Sequence, residues 1–185
     1  MKVIFLDHDG VICLQDNWGT RYRKQKDFYG AEDKPKSKLD IPVNLRFDEF
    51  DKKAINVLNK ILNETDAEIV CSSDWRLYST LEEMQEFYLS QGIIKPPIDF
   101  TPKMSDFDKS SYDLFTWKGW TARARCVEIK KWLNDNKVDS WVAVDDLNMS
   151  NEYLHPGLDN FVLTPKSTEG IKQTGIDRKI LNFLV

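Results

Sequence analysis

The chain is short of the features that mark secreted, membrane or histidine-zinc proteins. Its three cysteines, Cys13, Cys71 and Cys126, are odd in number and lack CxxC spacing. That pattern speaks against a disulfide framework and for a reduced, cytoplasmic setting. Only two histidines occur, His8 and His155, too few for zinc chemistry of the His-rich kind. No stretch approaches the roughly 18 apolar residues of a membrane span, and no basic segment followed by a long apolar run opens the sequence. Neither a membrane span nor a secretion signal is expected. Internal repeats and low-complexity tracts are missing too. The net charge of -4 leaves attraction to nucleic acid to local patches.

What is present is a globular composition. With 185 residues, 41% of them hydrophobic and 30% charged, the chain can bury one sizeable core, and residues 1–185 are expected to form a single domain with an inserted subdomain. Four apolar, β-branched runs read as strands: Lys2 to Leu6, Ala67 to Cys71, Ser140 to Val144 and Asn160 to Leu163. Between the first two, Phe50, Ala54, Val57, Leu58, Ile61 and Leu62 recur at helical spacing. STLEEMQEFYLSQG carries Ser79 three residues before Glu82, a capping-box spacing, and stops at Gly92. ARCVEIKKWLND and IDRKILNFL supply two further helices. Buried strands alternating with helices predict a three-layer α/β/α, Rossmann-like parallel sheet. In such a sheet, ligands gather beyond the carboxyl ends of the strands.

Two segments interrupt the alternation, residues 14–46 and 93–119. Both exceed the usual connection of about 4 to 6 residues, so the first reads as a small cap or lid and the second as another insertion at the active edge.

The strand ends hold the chemistry. The first ends in Asp7-His8-Asp9-Gly10, the second in Ser72-Ser73-Asp74-Trp75-Arg76, and the third in Asp145-Asp146. If the strands are neighbours, these carboxylates share one rim. Two unit charges about 4 Å apart repel by about 4 kcal/mol at an effective dielectric near 20. Asp7, Asp9, Asp145 and Asp146 therefore call for a hard, oxygen-liganded cation such as Mg²⁺. His8, an alternate residue at a strand end, is expected to point away from it.

In order and spacing these pieces resemble the haloacid dehalogenase (HAD) superfamily of phosphohydrolases. Asp7 to Gly10 matches its DxDG motif, Ser72 its strand-ending hydroxyl, Arg125 or Arg123 its helix cation, and Asp145-Asp146 its acidic pair. More narrowly, VCSSDWR, RCVEIKKWL, VAVDD and FVLTPKSTEGI look like the HAD domain of Swiss Army Knife RNA-repair proteins. Cys126 is a departure, standing where a small residue such as Gly is expected. The resemblance implies a Mg²⁺-dependent phosphatase. Asp7 would be the nucleophile that forms an aspartyl-phosphate, Asp9 the general acid and base, Ser72 a phosphoryl ligand, and Arg125 the charge-offsetting cation. Asp7, Asp9, Asp145 and Asp146 would hold the metal, the sharing between the last two being open. Ser73, Arg76 and Arg123 are candidates for contact with substrate.

The substrate class follows less directly. Within 14–46, Arg21, Arg23, Lys24, Lys26, Lys34, Lys36, Lys38 and Arg46 outnumber the acids, and Trp18, Tyr22, Phe28 and Tyr29 interleave with them. The second insertion adds Phe107, Tyr112, Phe115, Trp117, Lys118 and Trp120. Bases with aromatics suit a phosphorylated RNA or DNA end or a nucleotide. The bland alternative makes the rings the small core of a lid and the lysines its wet face. Competing functions are the same chemistry on a phosphoprotein or small metabolite, and a non-catalytic module that binds phosphate ends. A response-regulator receiver fits poorly, because its phosphorylated Asp lies on a middle strand where this chain has Ser72-Ser73.

Overall fold

The computed structural model describes residues 1–30, 34–103 and 117–185. Its centre is β1 (Lys2–Leu6), whose Val3, Ile4, Phe5 and Leu6 are all buried. Five parallel strands form one sheet in the order β3-β2-β1-β4-β5, with β2 at Glu68–Cys71, β3 at Pro97–Phe100, β4 at Ser140–Asp145 and β5 at Phe161–Leu163. An α/β Rossmann-like sheet is thus what the run-and-helix alternation folds into.

Alternate residues of β1 point to opposite layers. Ile4 and Leu6 join Ile69, Val142 and Val144 under α3 (Lys52–Thr65), α4 (Leu81–Gln91) and α6 (Ile176–Leu184). Val3 and Phe5 join Val70 and Ala143 under α5 (Trp117–Asp135), through Ala122, Cys126, Ile129 and Trp132. The α3 face matches its periodicity except that Ile55 is buried and Val57 only partly so. The cysteines are all free and buried.

Three expectations need correction. The strand β3 lies inside 93–119, a segment read as an insertion. Pro97 and the polar Asp99 hide it from a hydrophobic-run criterion, yet an edge strand tolerates proline at its first residue. Residues 104–116 of that insertion, with Phe107, Tyr112 and Phe115, lie outside the described residues, as do the side chains of Trp117, Lys118 and Trp120. The capping box of α4 is Thr80 with Glu83, not Ser79 with Glu82. Thr80 Oγ1 accepts from the Glu83 amide at 3.2 Å and Glu83 Oε2 from the Thr80 amide at 3.0 Å. Finally, α5 begins at Trp117, so Arg125 sits about two turns inside the helix and not in its first turn.

The segment 14–46 contains α1 (Thr20–Tyr29) and α2 (Val43–Arg46). It is tied down by side chains reaching carbonyls: Lys24 Nζ to Asn44 at 2.7 Å and Phe47 at 3.0 Å, and Gln25 to Leu45 at 2.8 Å. Arg46 is buried beneath it, donating to the carbonyls of Leu39, Ile41 and Tyr78 and to Glu83. No helix among the described residues is long and apolar enough to cross a membrane.

Candidate active site

Register alone brings the strand ends together. Leu6 pairs with Cys71 on one side and Val144 on the other, so Asp7, Ser72 and Asp145 leave the sheet level with one another. The ladders continue one step further, with the Asp7 amide donating to Val144 at 3.1 Å and the Ser72 amide to Leu6 at 3.0 Å. Asp7 and Asp145 are buried while Asp146 is exposed, and one carboxylate oxygen of each lies within 4.8 Å of the others.

One guanidinium serves this group. Arg125 Nη1 is 2.7 Å from Asp145 Oδ2 and 3.2 Å from Asp7 Oδ1, and Nη2 is 3.4 Å from Asp74. Arg123, two residues earlier, is half-buried and has no ion pair among the described residues. A two-residue offset turns a helical side chain by about 200°, so only one of the pair can face the sheet. The cation at the acidic cluster is Arg125.

The electrostatics show an excess of negative charge. Burial pushes the Asp7 carboxyl up to about 7; Arg125 opposes this, and Asp145 and Asp9 add to it. Burial and then Asp7 raise Asp146 to about 6, again against Arg125. Asp145 is raised by burial, and Asp9 likewise. Asp145 and Asp7 in turn hold Arg125 well above its ordinary value, although burial alone pulls the other way. Asp7, Asp145 and Asp146 meet with one guanidinium bonded to the first two alone, so the group is under-neutralised, and its all-oxygen donor set fits a small divalent cation.

The loop after β1 is closed from two sides. Gly10 has φ of 72°, and a Cβ there would stand 2.7 Å from Asp146 Oδ2, so a side chain would both strain the backbone and displace a carboxylate. The segment TPKSTEG folds over the same loop, with the Thr164 hydroxyl donating to Gly10 at 3.1 Å and the Ile171 amide to Val11 at 2.9 Å. That explains why a late, polar stretch belongs to the recognisable pattern.

Other candidates fall into place differently. His8 is fully buried away from the carboxylates, its Nε2 2.6 Å from the Tyr88 hydroxyl, and burial lowers it to about 3. Ser72 and Ser73 are buried at the end of β2, Ser73 Oγ accepting from the Trp75 amide at 3.4 Å. Arg76 is 2% exposed, and its donors reach the carbonyls of Thr101, Ser72 and Ser73, the Asp74 carboxylate and Glu128 Oε2, the last at 2.6 Å. It braces the loop that carries Ser72, so contact with substrate is not the position it occupies. Sequence reasoning missed Trp75 as a partner of Asp9 and Glu128 as a partner of Arg76. Those partners lie 66 and 52 residues apart, and no spacing signals them.

A central strand ending in DxDG, a neighbouring strand ending in Ser, a helix cation and a distal acidic pair at one rim make this a HAD-type α/β site. The family model for the HAD domain in Swiss Army Knife RNA repair proteins matches residues 3–175, and the chain belongs to that family. No curated protein and no solved structure matches it.

Proposed function

We propose that the chain is a Mg²⁺-dependent phosphomonoesterase acting through an aspartyl-phosphate on a phosphorylated nucleic-acid end. The observation that supports this most is the meeting of Asp7, Asp145 and Asp146 within 4.8 Å beneath Arg125. Asp7, Asp145 and Asp146, with the backbone carbonyl of Asp9, would hold the ion. When bound, Mg²⁺ there offsets the repulsion between the carboxylates and an incoming phosphate. Membership of a family named for RNA repair supports the substrate class.

The residues then have distinct tasks. An Asp7 oxygen attacks phosphorus in line, forming an O–P bond while the bond to the leaving oxygen breaks. Asp9, its carboxyl pKa raised by burial, gives its proton to that oxygen and then takes one from the attacking water. The second attack breaks the Asp7–phosphorus bond and frees inorganic phosphate. Ser72 and neighbouring amides bind phosphoryl oxygens, and Arg125 offsets charge on Asp7 and on the phosphate.

The test is phosphate release from 3′- and 5′-phosphorylated oligonucleotides, mononucleotides, phosphotyrosine peptides and sugar phosphates, with Mg²⁺ and with EDTA. Release from the oligonucleotides, abolished by EDTA and by Asp7→Asn in a folded protein, is expected. Turnover that survives EDTA would contradict the metal's role, and selective turnover of the peptides or sugars would contradict the substrate.

A further inference from the structure

The structure sorts the basic and aromatic side chains of residues 14–46, and the sorting leaves a small set beside Asp9. Arg46 and Lys24 are taken up by backbone carbonyls and Glu83. Lys38 is different. Among the described residues its ammonium meets no carboxylate, lying instead 3.8 Å from the Tyr78 ring centroid and 5.6 Å from that of Phe47. Phe47 stacks on Trp75 at 4.7 Å and 5°, and Trp75 donates to Asp9 at 2.9 Å. Two stacked rings therefore separate Lys38 from the carboxylate.

Asp48, next to Phe47, holds Arg21. It accepts from the Arg21 backbone amide and from Nη1, both at 2.8 Å. The guanidinium lies 4.7 Å from the centroid of Tyr22 and donates to its hydroxyl at 3.1 Å. Trp18 anchors its indole on the Cys13 carbonyl at 3.3 Å, and Cys13 is bridged to Asp9 through the backbone. Burial lowers the Lys38 pKa and Arg21 lowers it further, so the two cations act on one another, with Asp9 among the groups that oppose this.

Burial separates the two readings of the rings. Phe47 and Phe50 are core, but Trp18, Tyr22 and Tyr78 are 47%, 58% and 41% exposed. The exposed rings lie beside Lys38, whose ammonium meets no carboxylate among the described residues, and beside the Arg21 guanidinium, which Asp48 holds in place; exposed rings next to cations suit stacked bases and phosphate better than the inside of a lid.

We propose that Arg21 and Lys38, with the exposed rings of Trp18, Tyr22 and Tyr78, form a subsite for the nucleotides adjoining the terminal phosphate of a polynucleotide. The cations contact a neighbouring phosphodiester and the rings stack on bases. This deepens the phosphatase reading and rests on it for the location of the terminal phosphate.

Binding can be read without turnover. Fluorescence anisotropy of the Asp7→Asn protein would measure affinity for 5′- and 3′-phosphorylated RNA and DNA decamers, with inorganic polyphosphate and a phosphopeptide of equal length as competitors. Adding Lys38→Ala, at a half-buried position in a short 3-10 turn, is expected to weaken decamer binding about tenfold and to flatten its salt dependence by about 0.7 in log-log slope. Tyr78→Ala should weaken it without changing that slope, and Arg21→Gln should behave like Lys38→Ala. Unchanged decamer affinity in all three folded variants would overturn the subsite, as would equal losses for the phosphopeptide or equal competition by polyphosphate. If the unmodified chain hydrolyses nothing yet binds decamers in a Lys38-dependent way, the phosphatase reading fails and the subsite stands.

Discussion

The indole of Trp75 donates a hydrogen bond to the Asp9 carboxylate at 2.9 Å. The ring is fixed by stacking on Phe47 and by the edge of His8, 4.7 Å away in each case. A donor to an ionised carboxylate favours the charged form, so this contact lowers the Asp9 pKa against the burial that raises it. In Trp75→Phe the pKa should rise, moving the Asp9 limb of the pH-rate profile to higher pH, with kcat down about tenfold. A profile unmoved by the substitution would mean that Trp75 does no more than pack.

The two arginines of α5 should separate cleanly. Arg125→Ala removes the only guanidinium bonded to both Asp7 and Asp145 among the described residues. Its loss should lower kcat/KM by at least about a hundredfold. Arg123→Ala should change it by less than about threefold. Steady-state kinetics on one phosphomonoester decide the matter, and equal losses would show that the assignment of Arg125 is wrong.

Metal binding should stabilise the protein in a pH-dependent way. Asp7 and Asp146, at about 7 and about 6, stand above their ordinary 3.8. Groups raised on folding favour the folded state below their unfolded pKa, and that contribution is lost as pH climbs through the folded one. In the absence of metal these carboxyls therefore weaken the fold progressively between about pH 4 and pH 7. Mg²⁺ held by the proposed site would bind the ionised pair, so its effect on Tm should be larger near pH 8 than near pH 5. Thermal melts with Mg²⁺ and with EDTA at the two pH values test this, and equal shifts would place the ion elsewhere.

Arg46 should prove a stability residue. Its guanidinium is 2% exposed and reaches three carbonyls as well as Glu83 at 2.7 and 2.9 Å. Arg46→Ala leaves those acceptors unmatched and should cost about 3 kcal/mol in urea unfolding. Arg46→Lys should recover only part, since an ammonium cannot span the same acceptors. A loss below about 0.5 kcal/mol would mean that water replaces the arginine.

Much of this was legible in the residues because burial on both faces leaves near-continuous apolar runs. β1 shows this, and α6 is equally plain from its periodicity. β3 escaped because an edge strand is free to carry Pro97 and Asp99. The convergence of Asp7, Ser72 and Asp145 needed only the assumption that their strands are neighbours. Contacts that cross the fold were out of reach. Nothing near Asp9 in sequence announces Trp75, and beside the local pair of Arg76 with Asp74 at 3.4 Å nothing in the spacing signals the shorter one, with Glu128 at 2.6 Å.

One face of α5 carries Arg125, Glu128 and Trp132, and each grips a different strand tip: Arg125 the β1 and β4 aspartates, Glu128 the Arg76 brace after β2, and Trp132 the Asp99 carboxylate of β3 at 2.6 Å. The helix thereby works as a template that sets the relative heights of four tips. Inserting one residue between Arg125 and Glu128 would rotate its two halves by about 100° against each other. The three grips could then no longer close together, even with every acidic side chain still in the chain.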